Sequence, residues 1–221
     1  PSNDNPPSYT FSSDEAGTIT YGGSCSSSTT TATTDNNPIT LNNLDDGTYS
    51  DCKFKVSDRA GNISNILTMT SFIIDTISPV LTLLDPIQSL SNKSNPSFKF
   101  HATESGTIGY SGACKSDKTT ATSGDNDISL NSLNDNTYDN CSISVTDVTG
   151  NISENLIINT FKIDTIAPVV TAIPPIINVT KDTTPSYTFS TTEPGIISLM
   201  GSCSSTNNLV TDSGKHTVHL I

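Results

Sequence analysis

The chain has 221 residues and carries 10 basic against 22 acidic side chains, a formal net charge of −12. That balance argues against nucleic acid, which needs clustered Lys and Arg, and against anionic membrane surfaces, while it admits divalent cations. Hydrophobic residues are only 33%, Trp is absent, and no run approaches the roughly 18 apolar residues that suggest a membrane span.

The predicted elements, in chain order, are short strands. Residues 7–11 (PSYTF) and 17–23 (GTITYGG) are the first two, and 29–34 (TTTATT) is a short edge strand or a loop. Residues 38–44 (PITLNNL), 48–57 (TYSDCKFKVS) and 66–74 (ILTMTSFII) follow, and 79–84 (PVLTLL) opens the next set. β-branched and aromatic residues fill these stretches, and Asn, Asp, Gly and Pro separate them. No window shows a sustained helical period with caps.

The text then repeats. Cys25, Cys114 and Cys203 are spaced by 89 residues, as are Glu15, Glu104 and Glu193. Cys52 maps onto Cys141, Tyr49 onto Tyr138, Asp58 onto Asp147, Asn62 onto Asn151, Asp75 onto Asp164 and Pro79 onto Pro168, all at the same interval. The third copy keeps register through Cys203 and then gains a residue. The predicted divisions are 1–76, lacking an opening strand, 77–165, complete, and 166–221, cut short about four or five strands in. With no Met start and no signal-peptide pattern, the chain reads as an internal piece of something longer. A strand reading L-x-D-G-T-Y-x-x-C is expected soon after Ile221.

Seven or so short strands per unit predict an all-β chain of immunoglobulin-like sandwiches, about 89 residues each, arranged end to end. A propeller blade has about half that length. Tyr49, after the turn LDDG, has opposite parity to Cys52, Phe54 and Val56. This places those three on the core face and Tyr49 at a bend, as in a tyrosine corner.

The stretches VSDRAGN…FIIDTISPV and VTDVTGN…FKIDTIAPV resemble tandem bacterial Ig-like repeats, and the resemblance covers the whole chain. Such repeats form the stalks of large secreted adhesins and other surface proteins. The resemblance implies a structural array, with calcium-stiffened junctions in some relatives. The chain departs from it in its cysteine pair, which many such repeats lack.

Parity puts Cys25 on the core face of the 17–23 strand and Cys52 on that of the 48–57 strand. In an immunoglobulin-like sandwich these strands are antiparallel neighbours. Disulfides Cys25–Cys52 and Cys114–Cys141 are therefore predicted, each within one sheet and each closing a loop of about 28 residues, roughly 3–4 kcal/mol in the chain-entropy model. Cys203 occupies the Cys25 position, and its partner lies past Ile221, so truncation leaves it unpaired. Zinc is disfavoured, since no C-x-x-C pair or recurring His accompanies these thiols. Paired cysteines imply an extracellular or cell-surface location.

The recurring acids gather at the junctions of such an array. Asp75 comes from the linker, Glu104 from one loop of the second unit, and Asp147 with Asn151 from another. Asp45 and Asp46 reach toward them from the exit turn of the first unit. The next junction gathers Asp135, Asp164 and Glu193. Two readings stand side by side: calcium, which takes six to eight oxygens, or Asp and Asn capping their own turns. Five Asn-x-Ser/Thr matches, Asn178-Val179-Thr180 among them, are what chance yields in so Asn- and Ser-rich a chain.

These readings point to a structural extracellular spacer or stalk in a bacterial adhesin or surface fibre, without catalysis. Its partners are its own neighbouring repeats and other copies in a fibre. Two alternatives remain: an adhesive module that binds a glycan or protein, and a subunit of a self-assembling filament or surface layer. Non-reducing peptide mapping tests the strand layout: Cys25–Cys52 and Cys114–Cys141 peptides are expected, and a Cys25–Cys114 peptide would overturn it.

Overall fold

The computed structural model describes residues 2–173 and 180–221, and the Asn178 motif lies outside them. Among the described residues there is no helix, and the chain is all-β. It divides into two compact units, Pro1–Asp164 and Thr165–Ile221.

Unit one holds the first two sequence repeats. Repeat one contains β1 (Ser8–Ser13), β2 (Gly17–Gly22), β3 (Thr31–Ala32), β4 (Asp35–Thr40), β5 (Gly47–Tyr49), β6 (Lys53–Ser57), β7 (Leu67–Thr68) and β8 (Phe72–Ile74). Repeat two contains β9 (Leu81–Asp85), β10 (Leu90–Ser91), β11 (Ser97–Ala102), β12 (Gly106–Ser111), β13 (Thr120–Ala121), β14 (Gly124–Ser129), β15 (Asn136–Tyr138), β16 (Ser142–Thr146), β17 (Leu156–Ile157) and β18 (Phe161–Ile163).

Repeat two shows the plan. One sheet has the order β9-β11-β14. The strands on its other side are β10-β18-β15 and β13-β12-β16-β17, all antiparallel except β10 with β18. Those two groups are one ladder interrupted in the middle. Tyr138 pairs with Phe161 and Ser142 with Ile157, and between them the Ile158 N–H donates to the Cys141 carbonyl at 2.9 Å. Along β11, Phe98, Phe100 and Ala102 point inward, the period of two expected of a half-buried strand. They meet Ile108, Ile143, Val145, Phe161 and Ile163 from the opposite strands in one core. Repeat one builds a separate, smaller core around Phe11, Ile19, Ile39 and Phe54.

The strands differ from the sequence expectation in four places. The strand expected over 48–57 is two, β5 and β6, and that over 66–74 is two, β7 and β8. The first breaks at Cys52, and the second breaks opposite it, where the Met69 N–H donates to the Cys52 carbonyl at 2.9 Å. β10 has no counterpart among the expected strands. The strand expected from residue 38 starts at Asp35, through a polar stretch that reads as a loop.

Asn37 is the reason for that early start. Its side chain is buried, Oδ1 accepts from the Thr33 N–H at 2.7 Å, and Nδ2 donates to the carbonyls of Thr33 and Asp35 at 2.8 and 3.0 Å. The bonds close the turn between β3 and β4 and set Asn37 opposite Phe11. Asn126 repeats this arrangement against Thr122 and Gly124 while only 1% exposed. The turn needs a left-handed residue, Asp35 at φ 72° in one repeat and Gly124 at φ 106° in the other.

Tyr49 sits at the bend before Cys52. Its hydroxyl donates to the Asp45 carbonyl at 2.8 Å and its ring stacks on Phe72. Tyr138 does the same with Asn134 and Phe161.

Unit two contains β19 (Val170–Ile173), β20 (Ser186–Thr191), β21 (Gly195–Ile196), β22 (Leu209–Val210) and β23 (Gly214–His219). The order β19-β20-β23 matches β9-β11-β14, and β21 pairs with β22 as β2 does with β3. Phe189 faces His216 across the ladder, where Phe11 faces Asn37. The one-residue insertion therefore falls between Val210 and Gly214. His216 takes the asparagine position, its Nε2 lying 3.0 Å from the Asp212 carbonyl. The core is small: Phe189, Val210 and Val218, with Tyr187, Ile197 and Leu220 against it.

Asn126→Ala would leave the Thr122 N–H and two carbonyls without their partner in a buried turn. A loss of about 1–3 kcal/mol is expected, the cost of one buried group left unpaired. Denaturant unfolding followed by tyrosine fluorescence measures it. An unchanged midpoint would mean that water replaces these bonds without cost.

Candidate functional site: an acidic junction within unit one

The junction is built from loops whose conformation is local. In repeat two, the loop after β16 turns back on itself through Asp147. Its Oδ1 accepts from the N–H groups of Thr149, Gly150 and Asn151 and from the Thr149 hydroxyl, at 2.7–2.9 Å. Its Oδ2 accepts from Asn151 Nδ2 at 2.8 Å. Asp58 and Asn62 form a simpler version in repeat one, with two bonds of 2.8 and 2.7 Å. Turn capping by these Asp and Asn residues is thus present in both repeats.

What differs between the repeats is what lies on top. Asn62 is exposed, whereas Asn151 is 9% exposed and buried with Asp147 and Ser153. Repeat one supplies the cover. Asn151 Nδ2 donates to the Asp75 carbonyl at 2.9 Å, and a Cβ on Gly150 would lie 3.4 Å from Asn3 Nδ2. The linker is held from its other side as well. Thr76 donates to Asp46 Oδ1 from both its N–H and its hydroxyl at 3.0 Å, and Pro79 is fully buried.

Over this junction three carboxylates converge. One oxygen each from Asp75, Glu104 and Asp147 lies within 4.8 Å of the others. Asp75 and Glu104 are half-buried and Asp147 is buried. Metal–oxygen distances for calcium run about 2.3–2.6 Å, so oxygens this close can share one ion. Asp147 Oδ1 is saturated by its four donors, which leaves Oδ2 as the atom with a lone pair to spare. Asp46, expected to reach the cluster, is committed to Thr76. Asn151 turns its amide nitrogen to three oxygens, those of Asp75, Asp147 and Thr149.

The electrostatics of the two key acids are opposed. Burial, followed by the charges of Asp75 and Asp147, raises the Glu104 carboxyl above the ordinary range. Burial also pushes Asp147 up, but hydrogen bonds from Thr149, Asn151 and Gly150 outweigh it and hold that carboxyl low. Asp147 is an ion held by its own loop, and Glu104 is a carboxylate disfavoured first by burial and then by the charges beside it.

The remaining expected residues are placed as follows. Cys25 is bonded to Cys52 and Cys114 to Cys141, each pair joining the end of one strand to the start of its neighbour in the same sheet. Cys203 is free and exposed. Asp164 lies in unit one, where Lys162 Nζ sits 2.9 Å from its Oδ2. Glu193 lies in unit two, its N–H and carbonyl both bonded to the Thr191 hydroxyl. The buried asparagines Asn37 and Asn126 were not anticipated. Their recurrence at the same 89-residue interval was the available signal.

No protein-family model matches the chain, and no curated protein matches it.

The opposed shifts have opposite pH signatures. Glu104 has a raised folded value, so its contribution is fully present below the unfolded value and lost as pH rises through the folded one. In chelator, Glu104→Gln is expected to stabilise unit one at pH 7, with the gap closing toward pH 4. Asp147 has a lowered folded value, so its contribution is present above the unfolded value and lost as pH falls through the folded one. Asp147→Asn is expected to destabilise at pH 7. Unfolding midpoints from pH 4 to 7 decide both.

Proposed function

We propose that the chain is a structural spacer of tandem immunoglobulin-like sandwiches, outside the cell or on its surface, without catalysis. The bacterial Ig-like repeats of adhesin stalks are the family that it resembles. The carrying observation is the junction between repeats one and two. A polar lock from Asn151 to the Asp75 carbonyl, with Asp46 gripping Thr76, ties the start of the linker to repeat two on one side and to repeat one on the other. A freely jointed linker needs no such bonds, whereas a stiff stalk is built from its nearest-neighbour contacts.

Two intrachain disulfides support an oxidising compartment, because reducing cytosol does not maintain them. Among the described residues no helix is long and apolar enough to cross a membrane. Calcium is the cofactor of this reading, bound by Asp75, Glu104 and Asp147 with backbone carbonyls and water completing its shell. It would offset the burial and the neighbouring charges that raise Glu104 and tie the linker to both loops of repeat two.

Small-angle scattering of the chain in calcium and in chelator tests this reading. The expected outcome is a longer maximum dimension with calcium and a shorter, broader distribution without it. Asp75→Ala with Glu104→Ala should abolish the difference. Identical profiles, together with no heat of calcium binding, would reduce the junction to turn chemistry.

A further inference from the structure

Asp46–Gly47 is the only Asp–Gly step in the sequence, and no Asn–Gly step occurs. An aspartate followed by glycine is the pair most open to intramolecular attack on the side-chain carboxyl by the next amide nitrogen, because no side chain crowds the five-membered ring that forms. The equivalent step in repeat two, 89 residues on, is Asp135–Asn136. There the second residue carries a side chain, and its Oδ1 accepts from the Thr137 N–H at 2.8 Å.

The surroundings of Asp46 leave room for that ring. Both Asp46 and Gly47 are exposed, and a Cβ on Gly47 would meet nothing within 4 Å. One contact opposes closure. The Asp46 carboxylate is held on the linker, where its Oδ1 accepts from the Thr76 N–H and the Thr76 hydroxyl at 3.0 Å each. A carboxylate held by two donors is not free to turn onto the Gly47 nitrogen. Thr76 is itself exposed, and it is the first residue after Asp75, whose carbonyl Asn151 of repeat two holds. The bond that restrains Asp46 therefore lies at the junction between the repeats.

We propose that Asp46–Gly47 is a self-modification site of the junction, at which aspartate becomes isoaspartate when Thr76 lets go. The Gly47 nitrogen attacks Cγ of Asp46. The amide hydrogen and the carboxyl hydroxyl leave as water, and a succinimide forms. Water then adds back. Opening at the Cγ carbonyl restores aspartate, and opening at the former main-chain carbonyl gives isoaspartate. One water leaves and one returns, so no other reactant is needed.

The product cannot remake the clamp. The main chain now runs through Cβ and Cγ and is one atom longer, and the free carboxylate sits directly on Cα, one carbon shorter in reach. The extra atom falls immediately before β5, where Gly47 pairs with Ile74, a residue only 1% exposed. Thr76 loses its acceptor, and the linker is left tied on the repeat-two side alone. Each opening of the junction is thus given a chance of becoming permanent. The inference rests on the Asp46–Thr76 bonds and holds whether or not the array is a spacer.

The test is prolonged warm incubation of the whole chain at pH 7, in chelator and in water enriched in heavy oxygen. Peptide mapping reads the label that ring opening leaves, and an isoaspartate-specific methyltransferase reads the product. Label and isoaspartate are expected in the Asp46–Gly47 peptide and not in the Asp135–Asn136 peptide. Thr76→Val removes the hydroxyl donor from an exposed site and should speed labelling about tenfold, the effect of losing one hydrogen bond to a charged group. The unfolding midpoint of that variant should match the parent, which separates release of the clamp from loss of the fold. In the isolated isoaspartate form, amide exchange at Thr76 should be faster than in the parent. Absence of label at Asp46 in folded chain, when the denatured chain labels there, would overturn the proposal. So would equal rates for the parent and Thr76→Val.

Discussion

The pairing of β2 with β6, and of β12 with β16, is the contact on which the rest of each repeat depends. It brings the two halves of the repeat's sequence together, since the paired residues lie some 30–40 positions apart, a costly closure for a short chain. The disulfide at one end of each pair removes part of that cost from the unfolded state. It also fixes which strand edge is spent and which stays free. Once it forms, the aromatic or Ile of the partner strand reaches the core, the Tyr corner swings the chain to the last strand, and the linker is delivered to the next repeat. In unit two the matching strand β21 is two residues long, the core has three buried side chains, and Met200 and Ile196 are more than 80% exposed.

The junction shows how a polar contact becomes specific without a large apolar interface. Asp58 and Asn62 close their loop through bonds between their own side chains and backbone. Asn151 makes the same local bonds and has a third oxygen to reach, the Asp75 carbonyl of the preceding linker. Preformed loops lose little entropy on docking, which lets a few hydrogen bonds hold two domains. The charge arrangement adds a condition. Three carboxylates lie within reach of one ion, and Glu104 is raised by burial and by the charges of the other two.

Much of this was legible because the sequence repeats. The 89-residue interval separated residues kept in every copy from those that vary, and it tied Tyr49 to Tyr138 and the Asp75 linker to its successor. Strand parity placed Cys25 and Cys52 on one face. The misread parts were those where a polar side chain does the work of an apolar one. Asn37 and Asn126 occupy inward positions in the strand, but their bonds are to the backbone two and four residues before them, and no hydrophobic alternation marks that. Asp46 was grouped with the acids by charge, whereas the hydrogen-bond donors of Thr76 claim it. Strand interruptions at the cysteines were invisible for a similar reason: the residues remain extended, and only the ladder stops.

His216 shows how far the asparagine turn tolerates change. The side chain sits opposite Phe189, as Asn37 sits opposite Phe11, and its ring meets Phe189 with centroids 5.8 Å apart. Imidazole is larger than an amide and presents two nitrogens rather than a donor and acceptor on one carbon. It keeps the contact to the carbonyl four residues back and gives up the bond that Asn37 makes to residue 35. The extra residue between Val210 and Gly214 lengthens the turn enough to fit the ring. The insertion and the substitution fall in the same turn, and β23 keeps its register with β20.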